Sequence, residues 1–365
     1  MKKLIVLSMA TGYGGAERSM ELILRHLPPH SVLQVYAGHP LHVDALCRPG
    51  ALPEGARLLR FADTVRPWGL RRAALRLAFE CLRHPDAVLL INTHASAMVA
   101  AMAARLVPAL GARCHLYVRD FGWTGFDHLF GRLPGACVLV PSRAVLARRG
   151  YLAPFHVQPV GAAACSVMPC MVELPVESGR DDGRVLHLAS VNGFKGHVDL
   201  MLAVHRLQQQ GRALSVLSCG VVDDASLNRH LHRFIDKLGI RDCFRLEGYL
   251  ADPQHLLRDC RMVVVPSVSH SGGPETFGRT VIEAWAWRKP VVGYACGGVE
   301  ELIEHEVDGL LVPEGDVDGL ADALHRLSSD PAFARRLGEA GHAKVVARYE
   351  AGVVVHALHR RLCAE

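Results

Sequence analysis

Ten short runs of aliphatic and β-branched residues recur along the chain, over 3–8, 32–36, 87–91, 114–118, 137–140, 185–189, 214–219, 243–246, 262–265 and 290–293, separated by amphipathic or loop-forming stretches. Runs such as Leu4-Ile5-Val6-Leu7 and Val263-Val264-Val265 are apolar at every position rather than at alternate ones. A strand covered on both faces reads this way, and strands that alternate with helices pair in parallel beneath them. The expected fold class is therefore α/β. The periodicity breaks over 160–184, where Gly161-Ala162-Ala163-Ala164, Pro169, Pro175 and a polar run intervene, so two parallel-sheet domains are expected in tandem, over 1–165 and 166–346.

With 365 residues, half of them apolar and 21% charged, the chain can bury two cores of ordinary domain size. Its eleven cysteines have no paired spacing, which points to a reducing cytoplasm rather than a disulfide framework. The opening Met1-Lys2-Lys3-Leu4-Ile5-Val6-Leu7 has the charge and apolar run of a short signal peptide, but it is brief and passes into the glycine loop Gly12-Tyr13-Gly14-Gly15, so a first strand is expected. The most apolar long stretch, 95–110, is interrupted by Arg105 and Pro108 and does not read as a membrane span.

Charge is divided unevenly. Residues 1–165 hold 19 Lys/Arg against 9 Asp/Glu, a net of +10, whereas 166–365 hold 22 against 27, a net of −5. Within the basic half, 66–79 (Arg66-Pro67-Trp68 through Arg71-Arg72, Arg76 and Phe79) reads as a basic amphipathic helix suited to anionic lipid headgroups, or as an ordinary helix whose arginines face water. Cytoplasmic placement is expected, with peripheral contact to an anionic inner membrane face as a further expectation. No nucleic-acid-binding motif occurs, and a nucleic-acid partner is not expected.

The chemistry is concentrated in Gly272-Gly273-Pro274-Glu275-Thr276-Phe277-Gly278-Arg279-Thr280-Val281-Ile282-Glu283. Apolar spacing from Phe277 through Val281, Ile282 and Trp285 predicts a helix beginning near Thr276 or Phe277. Its unpaired first N–H groups and macrodipole favour an anion such as a diphosphate at that end. Gly278 lets a ligand approach the backbone. Eight positions span roughly 12 Å along a helix axis, comparable to the reach from a sugar ring across two phosphates to a ribose. Glu275 is then placed to accept from sugar hydroxyls and Glu283 from ribose hydroxyls. The plainer reading makes Glu275 a helix cap and leaves Glu283 on the solvated face.

This segment resembles the signature of the family-four retaining glycosyltransferases, Glu, seven residues, Glu. The resemblance extends in order through Gly14-Gly15-Ala16-Glu17, Phe194-Lys195-Gly196-His197, Leu246-Glu247-Gly248-Tyr249-Leu250, Val264-Val265-Pro266-Ser267, Gly297-Gly298-Val299-Glu300-Glu301 and Asp308-Gly309-Leu310-Leu311-Val312. It implies two Rossmann-like domains (the GT-B architecture) with the active site in the cleft between them, and a last helix, 347–365, returning to the front domain. The implied reaction moves a sugar, with retained configuration, from a nucleotide diphosphate sugar to a hydroxyl of a glycan or lipid-linked acceptor in cell-envelope synthesis. Lys195 is expected on the diphosphate, Gly14 and Gly15 over it, and Gly248, Tyr249 and Leu250 beside the base. Backbone N–H groups of Phe277, Gly278 and Arg279, next to Thr276 and Thr280, are expected to face the sugar and phosphates.

Two positions depart from the family pattern. Ser190 stands where an arginine commonly precedes the lysine by five positions, so Asn192 or Arg279 is left to complete the phosphate clamp. Arg119, followed by Asp120, stands where a histidine often lines the sugar pocket; it either pairs with Asp120 or contacts a phosphate or an acidic acceptor. His94, on the loop after 87–91, is a further candidate, since loops at the carboxyl ends of parallel strands surround the ligand crevice. No cofactor or metal is expected: Asp316-Val317-Asp318 lies where acidic residues cap a helix. A sugar-nucleotide epimerase or phosphorylase of the same architecture, and a catalytically silent glycan-binding relative, are the alternatives.

Overall fold

The computed structural model describes residues 2–10, 12–61, 67–119, 131–147, 165–250, 252–270 and 273–363, which form two compact units: Met1–Met171 with Ala351–Glu365, and Val172–Glu350. The first unit runs β1 (Leu4–Ser8), α1 (Gly15–His26), β2 (Val32–Ala37), α2 (Pro40–Leu46), β3 (Arg57–Arg60), α3 (Pro67–Arg83), β4 (Val88–Ile91), α4 (His94–Ala103), a 3-10 turn (Pro108–Arg113), β5 (Cys114–Tyr117), β6 (Cys137–Val140), α5 (Arg143–Ala147) and β7 (Cys165–Val167). The second runs β8 (Val185–Leu188), α6 (His197–Gln209), β9 (Val216–Cys219), α7 (Ala225–Leu238), β10 (Phe244–Glu247), α8 (Gln254–Asp259), β11 (Met262–Val265), α9 (Arg279–Ala286), β12 (Val291–Tyr294), α10 (Gly298–Leu302), β13 (Leu310–Val312), α11 (Val317–Ser329) and α12 (Pro331–Arg348). A final helix, α13 (Ala351–Cys363), belongs to the first unit.

Each sheet is parallel throughout. The first has the order β3-β2-β1-β4-β5-β6-β7 and the second β10-β9-β8-β11-β12-β13. Both therefore reverse direction of growth once, between β1 and β4 and between β8 and β11. In doubly wound sheets the crevice outside the strand carboxyl ends at such a reversal is where ligands bind.

Burial explains the uninterrupted apolar runs. Along β1, Leu4 and Val6 face a core built with Met20, Ile23 and Leu24 of α1 and Val355 and Leu358 of α13, whereas Ile5 and Leu7 face a second core with Leu77 of α3 and Ala100 of α4. In the second unit, Val185, Met262 and Val264 pack under Leu200, Met201 and Val204 of α6. On the other side, Trp285 of α9 is fully buried, its indole N–H donating to the Asp308 carbonyl at 2.9 Å. Gly341 of α12 lies so close that a Cβ there would sit 2.2 Å from the Trp285 ring.

The division between units falls after Met171 and after Glu350 rather than after 165 and 346. The added segment contains β7, which pairs with β6, and Met168 and Met171, which are buried in the first unit's core beside α13. The sequence reading missed β3, β7 and β13. The outer pair, β3 and β7, are edge strands of three or four residues, and β3 reads Arg-Leu-Leu-Arg with its ends exposed.

Candidate active site

The loop leaving β8 and the loop leaving β11 flank the reversal point of the second sheet, and they are locked together. Val268 N–H donates to the Phe194 carbonyl at 2.8 Å. Gly196, at φ +70°, lies so close to the end of β11 that a Cβ would meet the Pro266 carbonyl oxygen at 1.8 Å. Beneath the first loop, His187 of β8 is within 3.1 Å of the Lys195 carbonyl through Nε2 and 3.0 Å of Ser218 Oγ through Nδ1. The carbonyl only accepts, so Nε2 carries the proton and Nδ1 accepts from the serine. Burial pushes the His187 pKa well below the ordinary histidine value, so the ring is neutral.

Lys195 is thereby fixed over the second loop, where its Nζ donates to Glu275 Oε2 in an ion pair. Ser267 Oγ donates to the same oxygen at 3.2 Å. The side chains are 19% and 13% exposed, respectively. Burial works to raise the Glu275 pKa, but the Lys195 charge and hydrogen bond, the Ser267 hydroxyl and the Gly278 N–H outweigh it and hold the carboxyl below its usual range. The lysine ammonium also lies 4.7 Å from the centre of the Phe194 ring.

The sequence expectation of a helix beginning near Thr276 or Phe277 is corrected: α9 begins at Arg279. Gly278 stands just before it at φ +88°, a left-handed conformation that stops the helix from extending backward. Thr276 and Phe277 therefore lie in the loop, and the Phe277 side chain is buried edge-on against Tyr349. A pair of glycines supports this loop from behind. Gly298 N–H donates to the Glu275 carbonyl at 2.8 Å, and a Cβ on Gly297 or Gly298 would sit 2.2 Å from the Glu275 carbonyl oxygen or 2.5 Å from the Phe277 Cα. These two residues were visible only as part of a motif; their packing against the loop had no sequence signal of its own.

Glu283, one turn into α9, is 15% exposed and accepts from Arg279 Nε at 2.9 Å and Nη2 at 2.7 Å. It does not lie on a solvated face. Thr280 Oγ1 donates to the Leu188 carbonyl at 3.3 Å, tying the helix start to the carboxyl end of β8. Ser190 accepts from Asn192 Nδ2 at 2.8 Å, and the same amide reaches Asp223 at 3.3 Å. Gly248, Tyr249 and Leu250 follow β10, two strands away from β8, with Tyr249 half exposed. Asp316 caps α11 through the Gly319 N–H at 2.8 Å, as its position before the helix predicts.

In the first unit the candidates also gather at the carboxyl ends of strands. Gly14 precedes α1 and its N–H donates to Glu17 Oε2 at 2.8 Å; Gly15 opens the helix. His94 opens α4, whose start is capped by Thr93. Arg119, beyond β5 and only 8% exposed, donates from Nη1 to the Ala16 carbonyl at 2.9 Å and stacks 3.9 Å from the Tyr117 ring centre. Its Nε and Nη2 are buried and have no hydrogen-bond partner among the described residues. Asn92 approaches the same Ala16 carbonyl at 3.3 Å. Asp120 and Gly272 lie outside the described residues.

Residues 176–344 match the family model described as "Glycosyl transferases group 1", a span that coincides with nearly the whole second unit. Over 137 residues the chain is 31% identical to the lipopolysaccharide core biosynthesis glycosyltransferase LpsD of Rhizobium meliloti, covering 38% of each protein. Over 165 residues it is 33% identical to the amylovoran biosynthesis glycosyltransferase AmsK of Erwinia amylovora, covering 44% of this chain and 40% of that one. The chain thus spans less than half the length of these relatives. The crystal structure of HepE from Anabaena with UDP and glucose superposes with a TM-score of 0.78 over all of both chains at 19% identity, so the fold is the two-Rossmann-domain (GT-B) fold. The second unit, which carries Lys195, Glu275 and Glu283, is thus the part of the chain that is similar to the group 1 glycosyl transferases.

Proposed function

We propose that this protein is a retaining, metal-independent glycosyltransferase that moves a sugar from a nucleotide diphosphate sugar to a hydroxyl of a glycan or lipid-linked acceptor during cell-envelope polysaccharide or lipopolysaccharide synthesis. The observation that carries the reading is the Lys195–Glu275 pair at the reversal point of the second sheet, with Glu283 held by Arg279 one turn along the adjoining helix. The names of LpsD and AmsK support the envelope setting, and the bound UDP of HepE supports a nucleotide diphosphate donor.

On this reading the second unit holds the donor. Lys195 and the amino-terminal end of α9 stabilise the negative charge that grows on the diphosphate as the bond from the anomeric carbon to the phosphate oxygen breaks. The acceptor hydroxyl oxygen forms the new bond on the same face, and its proton passes to the departing phosphate oxygen. Glu275 orients the sugar and Glu283 the ribose. The Arg119 Nε and Nη2, which have no partner among the described residues, suit a phosphate or carboxylate oxygen of an acceptor bound by the first unit. The place of work is the cytoplasmic face of an anionic membrane, where a lipid-linked acceptor is presented.

Calorimetric titration with UDP- and GDP-sugars tests the site. Lys195→Ala and Glu283→Ala should each weaken donor binding by about 10–100-fold, the loss of one charge-assisted hydrogen-bonding group. Unchanged affinity in both variants would refute the assignment. Release of nucleotide diphosphate that requires an added acceptor separates a transferase from an epimerase or a phosphorylase.

A further inference from the structure

Helix α3 carries two apolar faces, and only one of them is used by the fold. Leu70, Ala73, Leu77 and Cys81 are buried against the sheet and α4. On the opposite side Trp68, Leu75, Phe79 and Leu82 are 73, 61, 50 and 65% exposed. At about 100° per residue these four fall on one narrow stripe, and Arg71, Arg72, Arg76 and Arg83 border it, the whole within roughly 140° of the helix circumference. From Trp68 to Leu82 the stripe is roughly 21 Å long.

Its charge has one sign. The single carboxylate of the helix, Glu80, is turned inward, 3% exposed, where it takes Arg76 at 3.0 Å. Among the described residues no ion pair involves Arg71, Arg72 or Arg83. Two of them instead lie over the exposed rings, Arg71 5.6 Å from the Trp68 ring centre and Arg83 5.5 Å from that of Phe79. A guanidinium placed there keeps its head beside the ring while leaving its donors for an outside partner.

We propose that the outward face of α3 is a membrane-docking surface whose occupant is an anionic phospholipid bilayer. Tryptophan, phenylalanine and leucine suit the boundary between headgroups and acyl chains, and the flanking arginines pair with headgroup phosphates. A second copy of the chain fits less well, because a self-complementary contact through this stripe sets four arginines against four more. The proposal deepens the membrane part of the proposed function and rests on that part alone; donor binding by the second unit is a separate property.

The test uses the full chain with vesicles of phosphatidylcholine alone and of phosphatidylcholine with 30% phosphatidylglycerol, read by co-sedimentation at about 0.1 M salt, near a 10 Å screening length. Wild type should bind the anionic vesicles at least tenfold more tightly than the neutral ones. Two double variants, Leu75→Ser with Phe79→Ser and Arg71→Gln with Arg83→Gln, should each lose at least tenfold of that binding while keeping UDP affinity and unfolding temperature, since all four side chains are exposed. Equal binding to both vesicle types, wild-type binding by both double variants, or a wild-type dimer that these variants convert to monomer would overturn the proposal. Retained UDP binding in such a case would leave the donor site standing.

Discussion

Replacing Lys195 by methionine removes the ammonium that holds Glu275 ionised inside the site. Among the described residues the carboxylate, 13% exposed, keeps the Ser267 hydroxyl and the Gly278 N–H as partners. Removing one member of a buried pair costs about 3–5 kcal/mol; two remaining donors and slight exposure bring the expected loss to about 2–3 kcal/mol at pH 7. The pH dependence follows from the sign of the shift. In wild type the folded pKa lies below the unfolded value of about 4.3, so the pair's contribution is present above that pH and lost as pH falls through the folded value. In the variant burial is left to raise the carboxyl above its unfolded value. The penalty is then full at neutral pH and disappears below about pH 4.3, where the carboxyl is neutral in both states. Because the two units need not unfold together, hydrogen exchange of the β11 and α9 amides is the appropriate readout. The double variant Lys195→Met with Glu275→Gln should recover most of the loss. A Lys195→Met penalty within about 0.5 kcal/mol of zero at pH 7, or one equally large at pH 7 and pH 4, would refute the reasoning.

Gly196→Ala should destabilise the second unit by about 2–5 kcal/mol, because it adds a Cβ 1.8 Å from the Pro266 carbonyl oxygen at a left-handed residue; scanning calorimetry would show a lowered transition, and an unchanged one would contradict the close approach. His187 and His197 are both held neutral by burial, the latter with its pKa lowered to about 4. Their folded pKa values lie below the unfolded one of about 6.5, so the unfolded chain takes up these protons first. Stability of the second unit should therefore be full above pH 6.5 and fall by about 1.4 kcal/mol per pH unit per histidine toward pH 4, a slope that His197→Gln should halve in urea titrations.

Much of the fold is legible along the chain because a parallel sheet covered on both faces needs strands that are apolar at every position, and β1, β4, β6, β11 and β12 advertise it. The edge strands β3 and β7 need no such run, and β13 is only three residues long, so all three passed unread. The acid-spaced segment and the loop Phe194-Lys195-Gly196 were likewise readable, since glycines and charges at fixed offsets are local features.

Which of those groups touch was a different matter. Lys195 and Glu275 are 80 positions apart, and they meet because β8 and β11 are neighbours at the sheet's reversal point, an adjacency that follows from strand order and not from spacing. Arg119 lies 103 positions from Ala16 and reaches it over the ends of β4 and β5. The start of α9 moved from Thr276 or Phe277 to Arg279 because periodicity locates a helix face but not the residue at which a left-handed glycine ends it. The amphipathic character of α3 was written in its sequence. Only packing decided that one apolar stripe is buried while a second, edged by arginines, remains exposed.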